Sequence, residues 1–489
     1  MMIRRLVALA VCAALLPAQA QAQVLPDLGD VSDAALSDKQ ERTIGNRVMR
    51  EVRTDPAFVD DPEIADYVKS VGNRLLGAAD PPRRPIEFFA VEEESVNAFA
   101  LIGGHIGMHT GLILLTRNEA EFAGVMAHEI AHILQRHQSR LYHGQTKYQI
   151  ASLAALAIAI LASRGSSSQS GQVAEAAMVG ASAIMIQGQL DYTREHEREA
   201  DRVGLTILER AGYDPRGMVT FFERMQRANR LNEFKSAPSY LRTHPLTVER
   251  IADMQGRVET MTPRLVPDSF EYRLARAKIR AATGSANDQA TYFRQQLADR
   301  TVVRPREDVY GLALALRRAR SFAEAEKELA TIRSGDGAHP AFESLAAQLH
   351  ADQGRTEAAI ETYRAALKAH PRYRGLVHGL ATVLIDAGRH AEALALLEAR
   401  IRETPEDARL HELQARAYAA TGKNLAQHRA QAEAYYLRGN LAAAVAQLEL
   451  ATKVRDADYY ELSIAEARLR DLRSQLQIER EAEKALKLN

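Results

Sequence analysis

Cysteine and tryptophan are almost missing from this sequence of 489 residues, which has one cysteine, Cys12, and no tryptophan. Because Cys12 lies in a segment that we expect to be removed, the mature chain offers no disulfide, no thiolate metal ligand and no cysteine nucleophile. Glycine (28) and proline (16) are also too scarce for a collagen-like or low-complexity chain. With 46% hydrophobic and 26% charged residues, the composition is that of a globular protein of roughly two to four domains, not of a polytopic membrane protein.

The sequence has no excess of charge of either sign, since 63 Lys and Arg residues balance 63 Asp and Glu residues. Without a basic field or a basic aromatic groove the chain does not attract nucleic-acid phosphates, and we exclude nucleic acid as a partner. Aromatic residues make up only 6%, and alanine-rich stretches with apolar residues at i, i+3 and i+4 recur along the chain. This pattern predicts a mainly helical fold.

The first 22 residues have the pattern of a secretory signal sequence. Arg4 and Arg5 supply the positive charge, residues 6–16 the apolar core, and the sequence AQAQA at 18–22 two overlapping cleavage sites. A membrane anchor is the alternative, but an apolar core of about eleven residues is too short to span a bilayer. We therefore expect an exported protein from which residues 1–22 are removed.

Apolar periodicity and turn residues predict the secondary structure of the first half of the chain. Helices are expected at 38–53, 62–77, 117–140, 194–211, 216–230 and 246–257. The helix at 117 should begin with a capping box formed by Thr116 and Glu119. Strands are expected at 86–91 and within 96–115, where Gly103 and Gly104 would fold the chain back as a hairpin.

Two alanine-rich segments, 149–162 and 173–186, flank a loop rich in glycine and serine at 165–171. Neither segment is long enough to cross a membrane as a helix. Two interpretations are open: a buried helical hairpin, or contact with a membrane surface or an apolar polypeptide through 149–186.

From about residue 305 the sequence repeats with a period of 34 residues. Arg320, Gly354, Gly388 and Gly422 lie at this interval, and so do two prolines that each end a helix pair. The pattern resembles tetratricopeptide (TPR) repeats, about four of them, with a degenerate pair near 407–455. Such repeats stack into an α-solenoid whose concave face binds peptides or proteins, and an unrelated helical bundle is the alternative.

The sequence HEIAH at 128–132 carries the candidate chemistry. On a helix, His128 and His132 project from one face, so both imidazoles can bind one metal ion, and Glu129 can reach a water on that ion. The rest of this helix is apolar, where two histidines and a carboxylate are costly unless they are paired or bound to metal. The pattern predicts a zinc hydrolase with one Zn2+ per chain.

A catalytic zinc needs a third protein ligand, and without cysteine this must be a histidine or a carboxylate. In the stretch 194–204, Glu197 and Asp201 share one helix face with small residues that would allow close approach to the histidine-bearing helix. We choose Glu197 as the ligand and Asp201, one turn on, as the residue that holds a histidine in place. Glu195 and Glu199 remain the competing candidates.

Three other histidines are not expected to bind the metal. His137 should point to the far side of its helix, and His105 and His109 have no spacing that relates them to the HEIAH motif. These two lie on a predicted hairpin strand, whose residues Ile106 and Met108 would present an unpaired edge to an extended substrate.

Several separated motifs together resemble a known family of metalloproteases. In chain order they are NAFALIGGHIGMHTGLI at 97–113, HEIAH at 128–132, EREAD at 197–201 and THPLTVER at 243–250. The family is that of bacterial HtpX, mitochondrial Oma1 and the CAAX prenyl protease, which are HExxH enzymes with a glutamate ligand. The layout with a TPR tail is most similar to the periplasmic β-barrel assembly-enhancing proteases, and the resemblance then spans most of the mature chain.

The resemblance implies roles for particular residues. It assigns His128, His132 and Glu197 as zinc ligands. Glu129 would be the catalytic base and Asp201 a proton donor. It also gives His244 a role in controlling access to the zinc or in stabilising the oxyanion, with Arg250 close by.

By the same similarity the protein would be a periplasmic zinc endopeptidase that degrades misfolded or misassembled outer-membrane proteins and aids their assembly. The TPR repeats would recruit the β-barrel assembly machinery or the client. The alternative is an assembly chaperone or binding protein whose zinc is structural or whose site is held closed. The expected architecture is mainly α, with a signal peptide at 1–22, a helical zincin-type metalloprotease domain with a small β-sheet at 23–262, a helical connector at 263–304 and an α-solenoid of TPR repeats at 305–489.

Overall fold

The computed structural model describes residues 37–79, 85–141, 183–231, 238–298, 305–333, 339–454 and 458–488. The expected signal segment 1–22, the helix expected over 149–162 and most of that over 173–186 lie outside these ranges. None of the helices in the described part of the chain combines the length and the apolar character that a membrane span requires.

The first part of the chain combines helices with three short strands. In chain order they are α1 (Asp38–Thr54), α2 (Pro62–Ala78), β1 (Glu87–Val91), β2 (Ala98–Leu101), β3 (His105–His109), α3 (Thr110–Leu115), α4 (Glu119–Leu134), α5 (His137–Leu141), α6 (Ala183–Arg210), α7 (Arg216–Arg230), α8 (Ser239–Thr243) and α9 (Val248–Thr260).

The rest of the described chain is helical. It contains α10 (Phe270–Ala282), α11 (Ala286–Ala298), α12 (Arg306–Arg318), α13 (Phe322–Arg333), α14 (Pro340–Asp352), α15 (Thr356–Ala369), α16 (Arg374–Asp386), α17 (His390–Glu403), α18 (Ala408–Ala420), α19 (Asn424–Leu437), α20 (Leu441–Ala451) and α21 (Tyr459–Leu488). The expected fold class, mainly α with a small sheet before a helical repeat region, is confirmed.

The three strands form a sheet in the order β1-β3-β2. Strand β3 pairs antiparallel with β2, which confirms the hairpin at Gly103 and Gly104, and it pairs parallel with β1 on its other side. The prediction of an unpaired edge at Ile106 and Met108 is therefore wrong, because β3 is the central strand and both side chains are 0% exposed. The outer edge of the hairpin belongs to β2 instead.

Helix α4 begins two residues later and ends earlier than the sequence predicts. Its N-cap is Asn118, whose side chain accepts a hydrogen bond from the amide of Glu121, so the expected capping box is wrong. The hydroxyl of Thr116 instead donates to the carbonyl of Ile113 in the preceding turn. At its other end α4 stops at Leu134, and Arg136 with a φ of 52° turns the chain into α5.

Helix α6 packs closely on α4, as the small residues in its sequence predict. A Cβ built on Gly204 would lie 3.1 Å from the amide nitrogen of His128 and 3.2 Å from its Cα. Such a contact is tighter than most that Cβ atoms make, so glycine suits this close separation of the two backbones. The close approach brings the acidic residues of α6 next to the HEIAH motif.

The 34-residue period appears in the structure as one repeated turn. Arg320, Gly354, Gly388 and Gly422 have φ values of 60°, 72°, 73° and 70°, and each follows the first helix of a helix pair. Left-handed residues just after a helix end satisfy its last carbonyls, and glycine adopts this conformation without strain. The predicted TPR-like helix pairs are confirmed.

The helices from α10 onward also contact the first two helices of the described chain. Lys278 of α10 and Tyr310 of α12 both bind Glu63 in the first turn of α2, and Arg374 of α16 binds Asp66 at 2.6 Å. The last helix, α21, is joined to α1 by ion pairs from Arg50. The two halves of the chain are therefore packed against one another.

Candidate metal centre

Four buried side chains from three parts of the chain converge on one point. His128 and His132 come from α4, Glu197 comes from α6, and His244 follows α8. One ligand atom of each lies within 4.8 Å of the others. The Nε2 atoms of His128 and His132 are 3.0 Å apart, and each lies within 3.4 Å of the Glu197 carboxylate. The sequence prediction of these first three residues as neighbours agrees with this geometry.

Glu129 lies beside the four donors and is the least bonded member of the group. It is 0% exposed, and neither carboxylate oxygen has a hydrogen-bond partner among the described residues. The nearest ionisable atom is Nε2 of His244, 3.5 Å from Oε1. A buried carboxylate without partners is costly, so its position indicates a group that binds a water or a substrate.

Asp201 and Arg250 form a buried ion pair behind the site. Arg250 donates from Nε and Nη2 to the two carboxylate oxygens of Asp201, at 2.8 and 2.7 Å, and its Nη1 is 2.9 Å from Glu197. Asp201 in turn lies 3.1 Å from Nδ1 of His128, the ring nitrogen opposite the one that faces Glu197. A carboxylate in this position fixes the ring orientation of a ligand histidine.

The charges of the site shift several pKa values. Burial alone would lower the pKa of His128, but Asp201 and Glu197 outweigh burial and raise it to about 9. Burial lowers the pKa of His132 to about 4, although Glu197 opposes the shift. Burial would raise the pKa of Glu197, yet the neighbouring His244 and His132 hold it well below its usual range. The site therefore keeps Glu197 ionised and His132 neutral, which are the forms that bind a metal ion, whereas a metal ion at His128 must displace a proton from that ring.

The donor set fits a divalent metal ion. Two imidazole nitrogens 3.0 Å apart repel each other unless a proton or a cation lies between them. The buried carboxylate of Glu197 faces both rings, with Oε2 3.3 Å from Nε2 of His128 and Oε1 3.4 Å from Nε2 of His132. Two histidines with one carboxylate are a known ligand set for catalytic zinc, which keeps a further position open.

The competing carboxylates lie elsewhere. Glu195 is exposed, and Glu199 binds His137 Nε2 at 3.2 Å and Arg140 at 3.0 Å instead of facing the four donors. His105 binds Glu87 at 2.9 Å and His109 lies 3.0 Å from the hydroxyl of Ser95, so neither is part of the cluster. The structure thus separates these residues from the site, as expected for both histidines.

The structure also reveals a neighbour that the sequence reasoning missed. His137 Nδ1 lies 3.0 Å from His132 Nδ1, so the expectation that it points away from the site is wrong. The reason is the turn at Arg136, which ends the helix that was expected to continue to residue 140. A stacked partner, His196, lies 4.3 Å from His137 between ring centres.

The convergence of an HExxH helix with a glutamate from a second, closely packed helix defines the class of a glutamate-ligand metallopeptidase. Comparisons with known proteins agree. Residues 62–258 match peptidase family M48, and residues 350–417 match a tetratricopeptide repeat family.

Full-length relatives narrow the assignment. The chain is 32% identical to the beta-barrel assembly-enhancing protease of Escherichia coli, over 88% of this chain and 87% of that protein. It is 31% identical to the protein of that name from Yersinia pestis, over 94% and 93% of the two chains. The mitochondrial metalloendopeptidase OMA1 of Schizosaccharomyces pombe is 27% identical, over 39% of this chain and 51% of the relative. The chain belongs to the family of the beta-barrel assembly-enhancing proteases within peptidase family M48, a metallopeptidase with a TPR region.

Proposed function

We propose that the protein is an exported zinc endopeptidase that cleaves unfolded or misassembled outer-membrane β-barrel proteins in the periplasm and aids their assembly. The observation that carries the proposal is the convergence of His128, His132 and Glu197 around an unbonded, buried Glu129. The name that these relatives carry supports the class of client, and the pattern of residues 1–22 supports export.

One Zn2+ per chain would be held by His128, His132 and Glu197. When bound, the ion supplies a Lewis acid that polarises the scissile carbonyl and makes a nearby water more acidic. Glu129 takes the proton from that water and later delivers it to the leaving amine, because it is the one carboxylate of the site without a fixed partner.

Asp201 and Arg250 support this chemistry from behind. Asp201 holds the ring of His128, and Arg250 holds both Asp201 and Glu197, so the ligands keep their orientation without a substrate. His244 lies close enough to Glu129 to hydrogen-bond an oxyanion or a water there, at 3.5 Å. Proton donation by Asp201 would require it to separate from Arg250.

An extended segment of the client would bind beside the outer edge of β2. Strand addition uses main-chain hydrogen bonds, so it accepts many sequences but requires an unfolded stretch. This requirement suits a protease that acts on clients which have failed to fold. The TPR repeats would hold the client or the assembly machinery.

An assembly chaperone with a closed zinc site is the second candidate. Nδ1 of His244 is 3.0 Å from Glu197 and belongs to the four-donor cluster. A fourth protein ligand is typical of structural zinc sites, whereas catalytic sites keep that position for water or substrate. This observation favours a resting state in which His244 closes the site.

Cleavage of an unfolded polypeptide by the zinc-loaded full chain tests the proposal. Cleavage should disappear with a chelator and in Glu129→Gln, which keeps the size of the side chain but cannot take a proton. His244→Ala should accelerate cleavage if His244 closes the site, and slow it if His244 stabilises the oxyanion. Cleavage that survives Glu129→Gln, or zinc-loaded protein that cleaves nothing even as His244→Ala, would contradict the proposed activity.

A further inference from the structure

The edge of β2 has a defined pattern of main-chain groups. The amide of His109 donates to the carbonyl of Asn97 at 3.0 Å, which makes these two residues a hydrogen-bonded pair of the antiparallel ladder. Because such pairs alternate along a ladder, the main-chain groups of Ala98 and Ala100 point away from β3. These two alanines therefore carry the outward main-chain groups of β2, and of the two Ala100 is half-buried whereas Ala98 is 0% exposed.

Two donors occupy the ends of this edge. The side-chain amide of Gln138 donates to the carbonyl of Ala100, and the main-chain amide of Tyr240 donates to the carbonyl of Val96 at 3.2 Å. No hydrogen bond joins the outward groups of Ala98, which lies between them, to a described residue. Gln138 thus occupies the carbonyl of Ala100, which would otherwise accept a hydrogen bond from a main-chain amide of a bound strand.

Gln138 is held in this position by its neighbours. The turn at Arg136 directs α5 back toward the sheet, and both Arg136 and Ser139 hydrogen-bond the buried carboxylate of Glu41 in α1. Gln138 lies between these two anchors and six residues after His132 of the metal centre. The backbone that carries Gln138 is therefore anchored on both sides, and this anchoring positions its side chain against Ala100.

We propose that Gln138 determines how an extended substrate pairs with β2, by occupying the carbonyl of Ala100 until a substrate amide replaces it. This inference rests on the proposed function, because it requires a peptide strand at this edge. An extended substrate segment displaces Gln138 when its register on β2 places a main-chain amide opposite the carbonyl of Ala100. Folded or irregular segments do not present such an amide and leave Gln138 in place. Gln138 is then a specificity-determining residue that acts on binding and not on bond cleavage.

The binding of a peptide to full-length, zinc-loaded Glu129→Gln protein tests this role without turnover. The probe is a short fluorescein-labelled peptide rich in valine and threonine, and its dissociation constant is measured by anisotropy. Gln138→Ala should bind it about two- to tenfold more tightly, the value of one neutral hydrogen bond that no longer has to be exchanged. Gln138→Met, which keeps the bulk but cannot donate, should give a similar gain.

Gln135→Ala is the matched control, since this glutamine lies in the same turn and its side chain makes no hydrogen bond to described residues. It should leave the dissociation constant unchanged. Copies of the peptide that are N-methylated at one position each provide a second readout. The copy that lacks the amide facing Ala100 should lose the gain in Gln138→Ala, whereas a merely structural effect would raise the affinity for every copy alike.

Unchanged affinity in both Gln138 variants, or a gain that persists with every methylated copy, would overturn the inference. Cleavage of the same peptide by zinc-loaded protein that retains Glu129 distinguishes failure of this inference from failure of the proposed function. If the protein with Glu129 cleaves the peptide and the Gln138 variants bind it with unchanged affinity, only the role of Gln138 fails. If the protein with Glu129 neither binds nor cleaves the peptide, the proposed function fails, and the inference fails with it.

Discussion

Replacing Arg250 by methionine should lower the free energy of unfolding by about 3–5 kcal/mol. The side chain is 1% exposed, and it makes two hydrogen bonds to Asp201, of 2.8 and 2.7 Å, and an ion pair of 2.9 Å to Glu197. Methionine keeps much of the volume but leaves two buried carboxylates without their cation. Removing one partner of a buried pair is costly because the remaining charge stays desolvated.

A double variant separates the lost charge from the lost packing. Asp201→Asn combined with Arg250→Met removes both charges of the pair, so the double variant should cost about 0.5–3 kcal/mol less than the sum of the single variants. Urea unfolding of the full chain, followed by circular dichroism in the presence of a chelator, measures all of these costs without a contribution from bound metal.

Arg257→Met is the control for this experiment. Arg257 lies on the same helix, α9, and pairs with Asp253 four residues away, but its side chain is 39% exposed. An exposed pair of this kind contributes about 0.3–0.5 kcal/mol. If Arg250→Met unfolds at the same urea concentration as Arg257→Met, or if the double variant equals the sum of the single ones, the argument from buried charge is refuted.

Three further predictions concern the metal, the repeats and acid stability. His132→Ala should reduce the zinc that remains after dialysis well below one ion per chain, as measured by atomic absorption, since it removes one of the proposed ligands. Gly388→Ala should lower the thermal unfolding midpoint, because alanine at a φ of 73° costs about 1 kcal/mol. Gly77→Ala is the control: Gly77 lies in a helix with open space around it, so alanine there should raise the midpoint. Burial alone would raise the pKa of Asp407, but His378 and Arg374, which both hydrogen-bond its carboxylate, together outweigh burial and lower the pKa below the usual range. The stability that depends on this ionised group is present above about pH 4 and is lost as the pH falls, so the difference in unfolding midpoint between the wild type and Asp407→Asn should shrink with acidification.

The metal centre was accessible from the sequence because its ligands follow local periodicity. The spacing of His128 and His132 fixes their common face on any helix, and Glu197 follows from the shared face of an acidic helix with small residues. The prediction of Glu197 succeeded because Gly204, which has no side chain, allows α6 to approach α4 closely. The TPR period was likewise readable, because one left-handed turn recurs in each repeat.

The remaining features depend on contacts between distant parts of the chain, which no local pattern encodes. Ile106 and Met108 alternate like residues of an edge strand, but the parallel pairing with β1, more than 15 residues earlier, makes them central. His137 seemed to continue a helix, and only the left-handed backbone of Arg136 turns it toward His132. A non-glycine residue in that conformation has no signal in the sequence.

The packing of the repeats against the protease part links these distant contacts to the active centre. Helix α1 supplies Glu41, which binds Arg136 and Ser139 on the turn that carries Gln138, and the same helix binds α21 through Arg50. The last helix of the chain therefore supports the element that holds one end of the β2 edge. Removing one partner of a buried or half-buried ion pair removes its stabilising contribution. Without α21, Arg50 of α1 would lose its ion-pair partners, and α1 would hold the turn at Arg136 less firmly. Experiments on the edge and on the site consequently require the full chain.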